Sequence, residues 1–399
     1  MALHAMNPNA GYAVDFPVES EVPAPMPAPR PQANNGDAAV ALPAADAVTR
    51  HWALSQGRRA FAEQTLTNAC IVSGCDLFRG TVHVVGGRIA AVDTGRSAAR
   101  SAVDLQGDLL IPGLVDIHTD NLERHLEPRP GVDWPSLPAL LSHDRQMAAA
   151  GVTTVCDALC IGDRHRGRVR RQEMLLEAIR AAKRAQREGL LKARHLLHLR
   201  CEVSTEGVVE TVAALVEDPG VRLVSLMDHT PGQRQWRDLD RWRRMNRIGA
   251  GVEELEAIRA QRRHFPEQRA AAARRDIAAL AGDRGLALAS HDDTTAEHVA
   301  EAAAAGVGIS EFPTTEEAAQ AARAAGLQVV MGAPNVVLGG SHSGNVSARV
   351  LAVSSLIDGL ASDYVPMSLI EACFVLHQVQ AVPLPAAIAM ATAKPAAML

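Results

Sequence analysis

The sequence predicts an α/β protein: a (β/α)8 barrel of the TIM type, preceded by a small, incomplete β-sandwich. Three observations carry this. From Leu109 onward, eight β-rich runs alternate with Ala/Arg-rich helical stretches. Of the 399 residues 47% are hydrophobic but only 3% aromatic, so Ala, Val and Leu carry the apolar load, as in barrels packed by aliphatic layers. Histidines and acids recur just where the apolar runs stop, at the carboxyl edge where α/β folds place their chemistry.

Residues 1–48 are rich in Pro and Ala (VPAPMPAPRPQANNGD) with neither helical nor strand period, and read as a disordered extension. Asp15, Glu19 and Glu21 argue against an acidic-poor transit peptide, a misassigned start codon being the alternative. Residues 49–108 form the small β domain: TLTNACIVSGCDLFRGTVHVVGGRIAAVDTG alternates short β-type runs with Gly turns. The barrel occupies 109–399, with strands expected at 109–117, 152–157, 195–202, 221–228, 286–290, 307–312, 327–332 and 356–362. The connection between the fourth and fifth strands, which includes GQRQWRDLDRWRRMNR, is unusually long and reads as a helical hairpin decorating the barrel.

Read in order, the strand ends supply His118 and Asp120, Asp157, Glu202, His229, then His291 with Asp292 and Asp293, and finally Asp363. His118 and Asp120 are two apart, so on an extended backbone they share a face. A single buried histidine is usually a hydrogen-bonded core residue. Three at equivalent positions of separate strands, with acids beside them, point to a divalent metal, and imidazole plus carboxylate without thiolate suits Zn²⁺, Mn²⁺ or Fe²⁺ rather than Mg²⁺. Water is then the natural nucleophile, with Asp363 placed to orient it and take its proton.

The net charge of −5 gives no global attraction to nucleic acid or an anionic membrane, so an anionic ligand must be held locally. No apolar stretch approaches a membrane span. The six cysteines lack CxxC spacing and read as reduced core thiols, which predicts a soluble cytoplasmic protein. Homo-oligomerisation is left open.

PGLVDIHTD after a small β-sandwich, GVTTVCDAL, and Asp363 on the last strand resemble the amidohydrolase superfamily. HTDNLERHLEPRPGVDWP, HLRCE, SLMDHTPGQRQ, ASHDDTT, EFPTTEEAA, MGAPNVVLGGSHSGNVSA and ASDYVPMSLI, in that order, are similar to its diphosphatase branch of phosphonate metabolism, in the carbon–phosphorus lyase pathway. The resemblance implies a small-molecule substrate, alpha-D-ribose 1-methylphosphonate 5-triphosphate, hydrolysed to the 5-phosphate and pyrophosphate. It implies His118, Asp120, Glu202, His229 and His291 as ligands to one or two ions, with Asp120 standing where the superfamily usually has a second histidine. Of the three lysines, Lys183, Lys192 and Lys394, none lies at a strand end to bridge two metals, which makes Glu202 the better candidate. A polyanionic substrate further implies contacts from the Gly-rich loop, through Ser341, His342, Ser343 and Asn345, from Arg200 and Arg234 as phosphate clamps, and from Asn121. His291 joins Asp363 as a catalytic residue.

Hydrolysis of a cyclic amide or amine, as in much of the superfamily, is the rival activity; an inactive homologue is the non-enzymatic alternative. The second arises because the chain stops at ATAKPAAML, where the family continues into further sandwich strands, so the sheet over 66–93 is expected to lack partners.

Overall fold

The computed structural model describes residues 63–129, 131–162, 171–230, 234–236, 267–341 and 343–399. The Pro/Ala-rich extension, most of the long excursion after the fourth barrel strand, and His342 lie outside the described residues.

Strands β1 (Glu63–Ser73), β2 (Asp76–Val85) and β3 (Arg88–Thr94) form an antiparallel meander, while β4 (Val103–Asp104) and β5 (Leu109–Leu110) pair parallel to β1. The β2–β3 turn is Gly86–Gly87, with φ of 57° and 76°, the left-handed pair that a two-residue hairpin requires. β1 buries Thr65, Thr67, Ala69 and Ile71 on one face. β3 is an edge strand with Ile89 and Val92 exposed.

The apolar run expected as one strand over 109–117 divides. Pro112 has no N–H to offer a ladder, and Gly113 passes so close to Thr153 that a Cβ would meet its side chain at 2.3 Å. Leu109–Leu110 therefore stays in the small sheet, and the first barrel strand is β6 (Leu114–Thr119). It is followed by β7 (Val152–Ile161), β8 (Arg194–Glu202), β9 (Val221–Met227), β10 (Ala287–His291), β11 (Ile309–Glu311), β12 (Gln328–Gly332) and β13 (Gly359–Ala361). These eight lie side by side in sequence order, all parallel. The ends of the sheet meet at the carboxyl rim, where the Asp363 N–H donates to His118 O at 3.0 Å and the Asp120 N–H to Asp363 O at 2.7 Å. This is the expected (β/α)8 architecture. β7 continues to Ile161, so Asp157 sits within the strand rather than at its end.

The helices that follow are α1 (Asn121–Leu126), α2 (Ser136–Ala149), α3 (Arg171–Arg187), α4 (Val208–Leu215), α5 (Glu267–Gly282), α6 (Ala296–Ala304), α7 (Glu316–Ala324), α8 (Ala333–Leu338), α9 (Ala348–Val353), α10 (Ser368–Gln380), α11 (Leu384–Ala389) and α12 (Ala393–Met398). An aliphatic layer fills the space between them and the strands. Inside the barrel, Ile117, Leu223, Ala289, Ile309, Val330 and Ala361 form the central plug, joined by Met398 of α12. The chain leading into α12 is fixed to the amino ends of β6 and β13 by Val115 N–H on Ala391 O and Leu360 N–H on Met390 O, at 2.9 and 2.8 Å. Chemistry is thereby confined to the opposite rim. Two successive βα turns there are built alike: Thr295 and Thr315 cap α6 and α7, and the Thr294 and Thr314 hydroxyls bond at 2.9 Å.

Hydrogen exchange checks this division. Amides of β3 should exchange fast, since one side of the strand is unpaired and its apolar residues face solvent. Those near Val155, Val224 and Leu288 should exchange only on global unfolding. Equal protection of β3 would mean that another element covers this edge.

Candidate metal centre

At the carboxyl rim, one fully buried carboxylate organises two histidines. Glu311, the last residue of β11, accepts the Nδ1–H of His118 on Oε1 at 2.7 Å and that of His291 on Oε2 at 2.8 Å. The two rings consequently stack, centroids 5.6 Å apart and 17° from parallel. Both Nε2 atoms are left for other partners. A third imidazole is built the same way: Glu202, at the end of β8, accepts the Nδ1–H of His229 at 3.0 Å and its main-chain N–H at 3.0 Å. A histidine whose Nδ1–H is held by a carboxylate, with Nε2 turned into a polar cavity, is the usual arrangement of a metal ligand.

Carboxylates face those Nε2 atoms. Asp292 Oδ2 lies 3.4 Å from His291 Nε2 and 3.6 Å from His229 Nε2. Asp120 Oδ1 lies 3.5 Å from His118 Nε2 and also pairs with the Arg200 guanidinium. The ligand atoms fall into two sets, His118 with Asp120 and Asp363, and His229 with His291 and Asp292, each within 4.8 Å of one another. One buried atom in each set has no hydrogen-bond partner, His118 Nε2 in the first and Asp292 Oδ2 in the second. Buried polar atoms are rarely left so. The donor set of imidazole and carboxylate therefore fits a divalent cation.

Electrostatics agree. Burial alone would push the His118 imidazole down, but Glu311 and Asp120 outweigh it and raise it to about 10. His229 is likewise raised to about 10 by Asp292 and Glu202 against its burial. Asp363 is raised to about 7, by burial and by the neighbouring Asp120 charge. Asp120 and Asp292 stay below the usual carboxylate range, because Arg200 and the imidazoles offset their burial.

The structure brings together His118, Asp120, His229, His291 and Asp363 among the residues expected from sequence. Glu202 stands behind His229 as its Nδ1 acceptor, and Asp292 is the carboxylate facing the Nε2 atoms. Glu311 was missed, and Asp292, named at its strand end, was left out of the ligand set: the first looks like the start of a turn and the second like a mere neighbour of His291. A cleft beside the centre is lined by Gln235, Phe312, Asn335, Ser341, Ser343, Asn345 and Tyr364, together with Asp292 and Asp363. Three expected substrate contacts are differently engaged. Arg200 pairs with Asp120, and Arg234 is held by Asp293 at 2.6 Å and lines a separate cavity between α5 and α6. Asn121 is buried, its amide bonded to His143 and Gln146, both at 2.9 Å.

Alpha-D-ribose 1-methylphosphonate 5-triphosphate diphosphatase of Escherichia coli (strain K12) is 43% identical over 343 residues, spanning 84% of this chain and 89% of that protein. The chain belongs to this diphosphatase family. No protein-family model matches it. Solved structures with the same fold include 5-methylcytosine deaminase from Klebsiella pneumoniae (TM-score 0.53, 15% identity, 82% of this chain and 87% of that one). N-isopropylammelide isopropylaminohydrolase from Burkholderia multivorans is another (0.53, 14%, 84% and 87%). These neighbours share the barrel fold with this chain.

Because neighbouring carboxylates raise His118 and His229 to about 10, a cation must compete with protons to reach Nε2. Metal affinity should thus rise between pH 6 and 8, by about tenfold per unit for each proton displaced. Calorimetry in buffers of different ionisation enthalpy reads the number released; a buffer-independent heat would show that the imidazoles are already neutral. Glu311→Gln should weaken metal binding by about 10–100-fold, measured by competition with a chelator.

Proposed function

We propose that this diphosphatase-family protein hydrolyses alpha-D-ribose 1-methylphosphonate 5-triphosphate between the α and β phosphates, in phosphonate catabolism by the carbon–phosphorus lyase route. The observation that supports the chemistry is the clustering of three carboxylate-backed imidazoles with Asp120, Asp292 and Asp363 at the carboxyl rim; the substrate follows from the relative's activity. His118, Asp120 and Asp363 would hold one cation and His229, His291 and Asp292 a second, with Zn²⁺ the first candidate and Mn²⁺ or Fe²⁺ the alternatives. A cation bound there supplies Lewis acidity, lowering the pKa of a water and neutralising charge on the phosphate oxygens.

Asp363 is the base. Its carboxylate is half-buried beside Asp120, in the cleft wall, and raised to about 7, which suits a group that accepts a proton near neutral pH. Water attacks the α-phosphorus and loses its proton to Asp363. The bond from the α-phosphorus to the bridging oxygen breaks, and pyrophosphate leaves with that oxygen. Ser341, Ser343 and Asn345 stand along the cleft where the polyanion must lie, and serve as its hydrogen-bond donors. Arg200 acts at one remove, by fixing Asp120. The six free thiols support a cytoplasmic setting.

Incubating the metal-replete protein with the ribose triphosphate and following phosphorus NMR should show pyrophosphate and the 5-phosphate in equal amounts. Release of orthophosphate alone would exclude the α–β position. Asp363→Asn should keep the fold and the shape of the cleft but lower turnover by roughly 10²-fold or more; near-normal turnover would remove Asp363 as the base. His229→Ala and His291→Ala should lose metal as well as turnover, which elemental analysis reads directly.

A further inference from the structure

Behind the rim, between the outer wall of β7 and β8 and helix α2, lies a second cluster of titratable groups that the proposed reaction does not use. Asp157 of β7 accepts the His143 Nε2–H on Oδ1 and the His195 Nδ1–H on Oδ2, both at 2.8 Å. His195 Nε2 reaches Asp144 Oδ1 at 3.2 Å, and the same oxygen accepts the main-chain N–H groups of Lys192 and Ala193 at 2.8 and 2.9 Å. His143, Asp144 and Asp157 are completely buried.

The potential ligand atoms of His143, Asp157 and His195 lie within 4.8 Å of one another, so a metal site is the first reading to consider. Satisfaction of the atoms argues against it. Unlike His118 Nε2 and Asp292 Oδ2, no side-chain atom of this cluster is left without a partner. The bonds fix the tautomer of His143 instead. Its Nε2 carries the hydrogen given to Asp157, so Nδ1 accepts, and the donor is the Asn121 amide at 2.9 Å. The second amide hydrogen of Asn121 goes to Gln146 Oε1 at 2.9 Å, which also receives His125 Nε2 at 3.0 Å.

Asn121 directly follows Asp120 and opens α1. Asp120 has no side-chain capping bond to that helix; its carboxylate is left to His118 and Arg200. The backbone there is gripped on one side by Asp363, through the Asp120 N–H at 2.7 Å, and on the other the residue next to Asp120 is tied to the wall by the Asn121 amide. We infer that the buried chain His195–Asp157–His143–Asn121 positions Asp120 from behind, setting its carboxylate against His118 Nε2 for the cation. These four are positioning residues, placed outside the barrel wall, and they act through Asp120 alone. The inference rests on the reading of Asp120 as a cation ligand.

The test uses the full chain and Zn²⁺, titrated in competition with a chromophoric chelator, with Asp120→Asn, Asn121→Ala, His143→Gln and the double variant Asn121→Ala/His143→Gln. His143→Gln keeps a donor toward Asp157 but loses the Nδ1 acceptor. Each single variant should weaken Zn²⁺ binding by about 10–100-fold. The double should be no weaker than the worse single, because both changes cut the same route. Unchanged Zn²⁺ affinity in Asn121→Ala and His143→Gln, alongside loss in Asp120→Asn, would reduce the network to a staple and overturn the inference, whatever the melting temperatures do. If Asp120→Asn also binds as wild type, the ligand assignment of Asp120 is what fails. Should His143→Gln not fold, Asn121→Ala decides alone.

Discussion

The Glu311 carboxylate, buried completely and shared between two imidazoles, is the constraint on which the rim depends. An isolated carboxylate in such a place would cost several kcal/mol or take up a proton. Burial does push Glu311 up, but the imidazoles of His118 and His198 and the bonds from His118 and His291 hold it well below its ordinary value. It survives as an anion because two strands deliver donors to it, β6 on one oxygen and β10 on the other. The converse also holds. With both Nδ1 atoms committed, the two rings have one orientation each, and their Nε2 atoms face carboxylates, Asp120 for His118 and Asp292 for His291. A metal centre needs ligands that are in place before the ion arrives, and here a single side chain sets two of them.

The backbone at the rim is strained in a repeated way. Asp292, Phe312 and Asp363, each just past a strand end, have φ of 59°, 56° and 55°, a region that costs a non-glycine residue about 1–3 kcal/mol. Each is held there by its own N–H, which reaches the neighbouring strand: Asp292 to Glu311 O, Phe312 to Val330 O and Asp363 to His118 O, at 2.9, 2.9 and 3.0 Å. The chain therefore turns left-handed while its ladder continues for one more bond. That combination lets consecutive residues serve the same cavity, which an extended strand forbids because successive side chains alternate. His291 and Asp292 both reach the centre this way. Glu311 and Phe312 do too, the phenyl ring lying edge-on to His118 and His291 with centroids 4.9 and 5.4 Å away.

This strain also marks what could be read from the sequence. The barrel was legible because its strands are short aliphatic runs between helical stretches, and His118, Asp120, His229, His291 and Asp363 were legible because each ends such a run. Glu311 ends one as well, in VGISEF, but a lone glutamate before PTT looks like a helix approach, and nothing local announces that two distant histidines will donate to it. Glu202 ends its strand as a ligand would, and whether it meets a cation or backs a histidine depends on where His229 comes to rest. Asn121 sits in the richest motif of the chain yet points into the wall, because α1 begins at that residue and rotates it away from Asp120. Pairings across separations as different as 20, 22, 27 and 193 positions leave no periodicity to detect.

Five carboxylates, Asp120, Glu202, Asp292, Glu311 and Asp363, surround the centre, and Arg200 is the guanidinium paired among them. A ribose triphosphate entering that field alone would be repelled, and the chain as a whole carries −5. The same acids raise the imidazoles of His118 and His229 to about 10. Divalent charge placed among them would turn these acids from a repulsive wall into ligands. Carboxylates so dense beside the cleft are compatible with the proposed polyanionic substrate only with divalent charge among them.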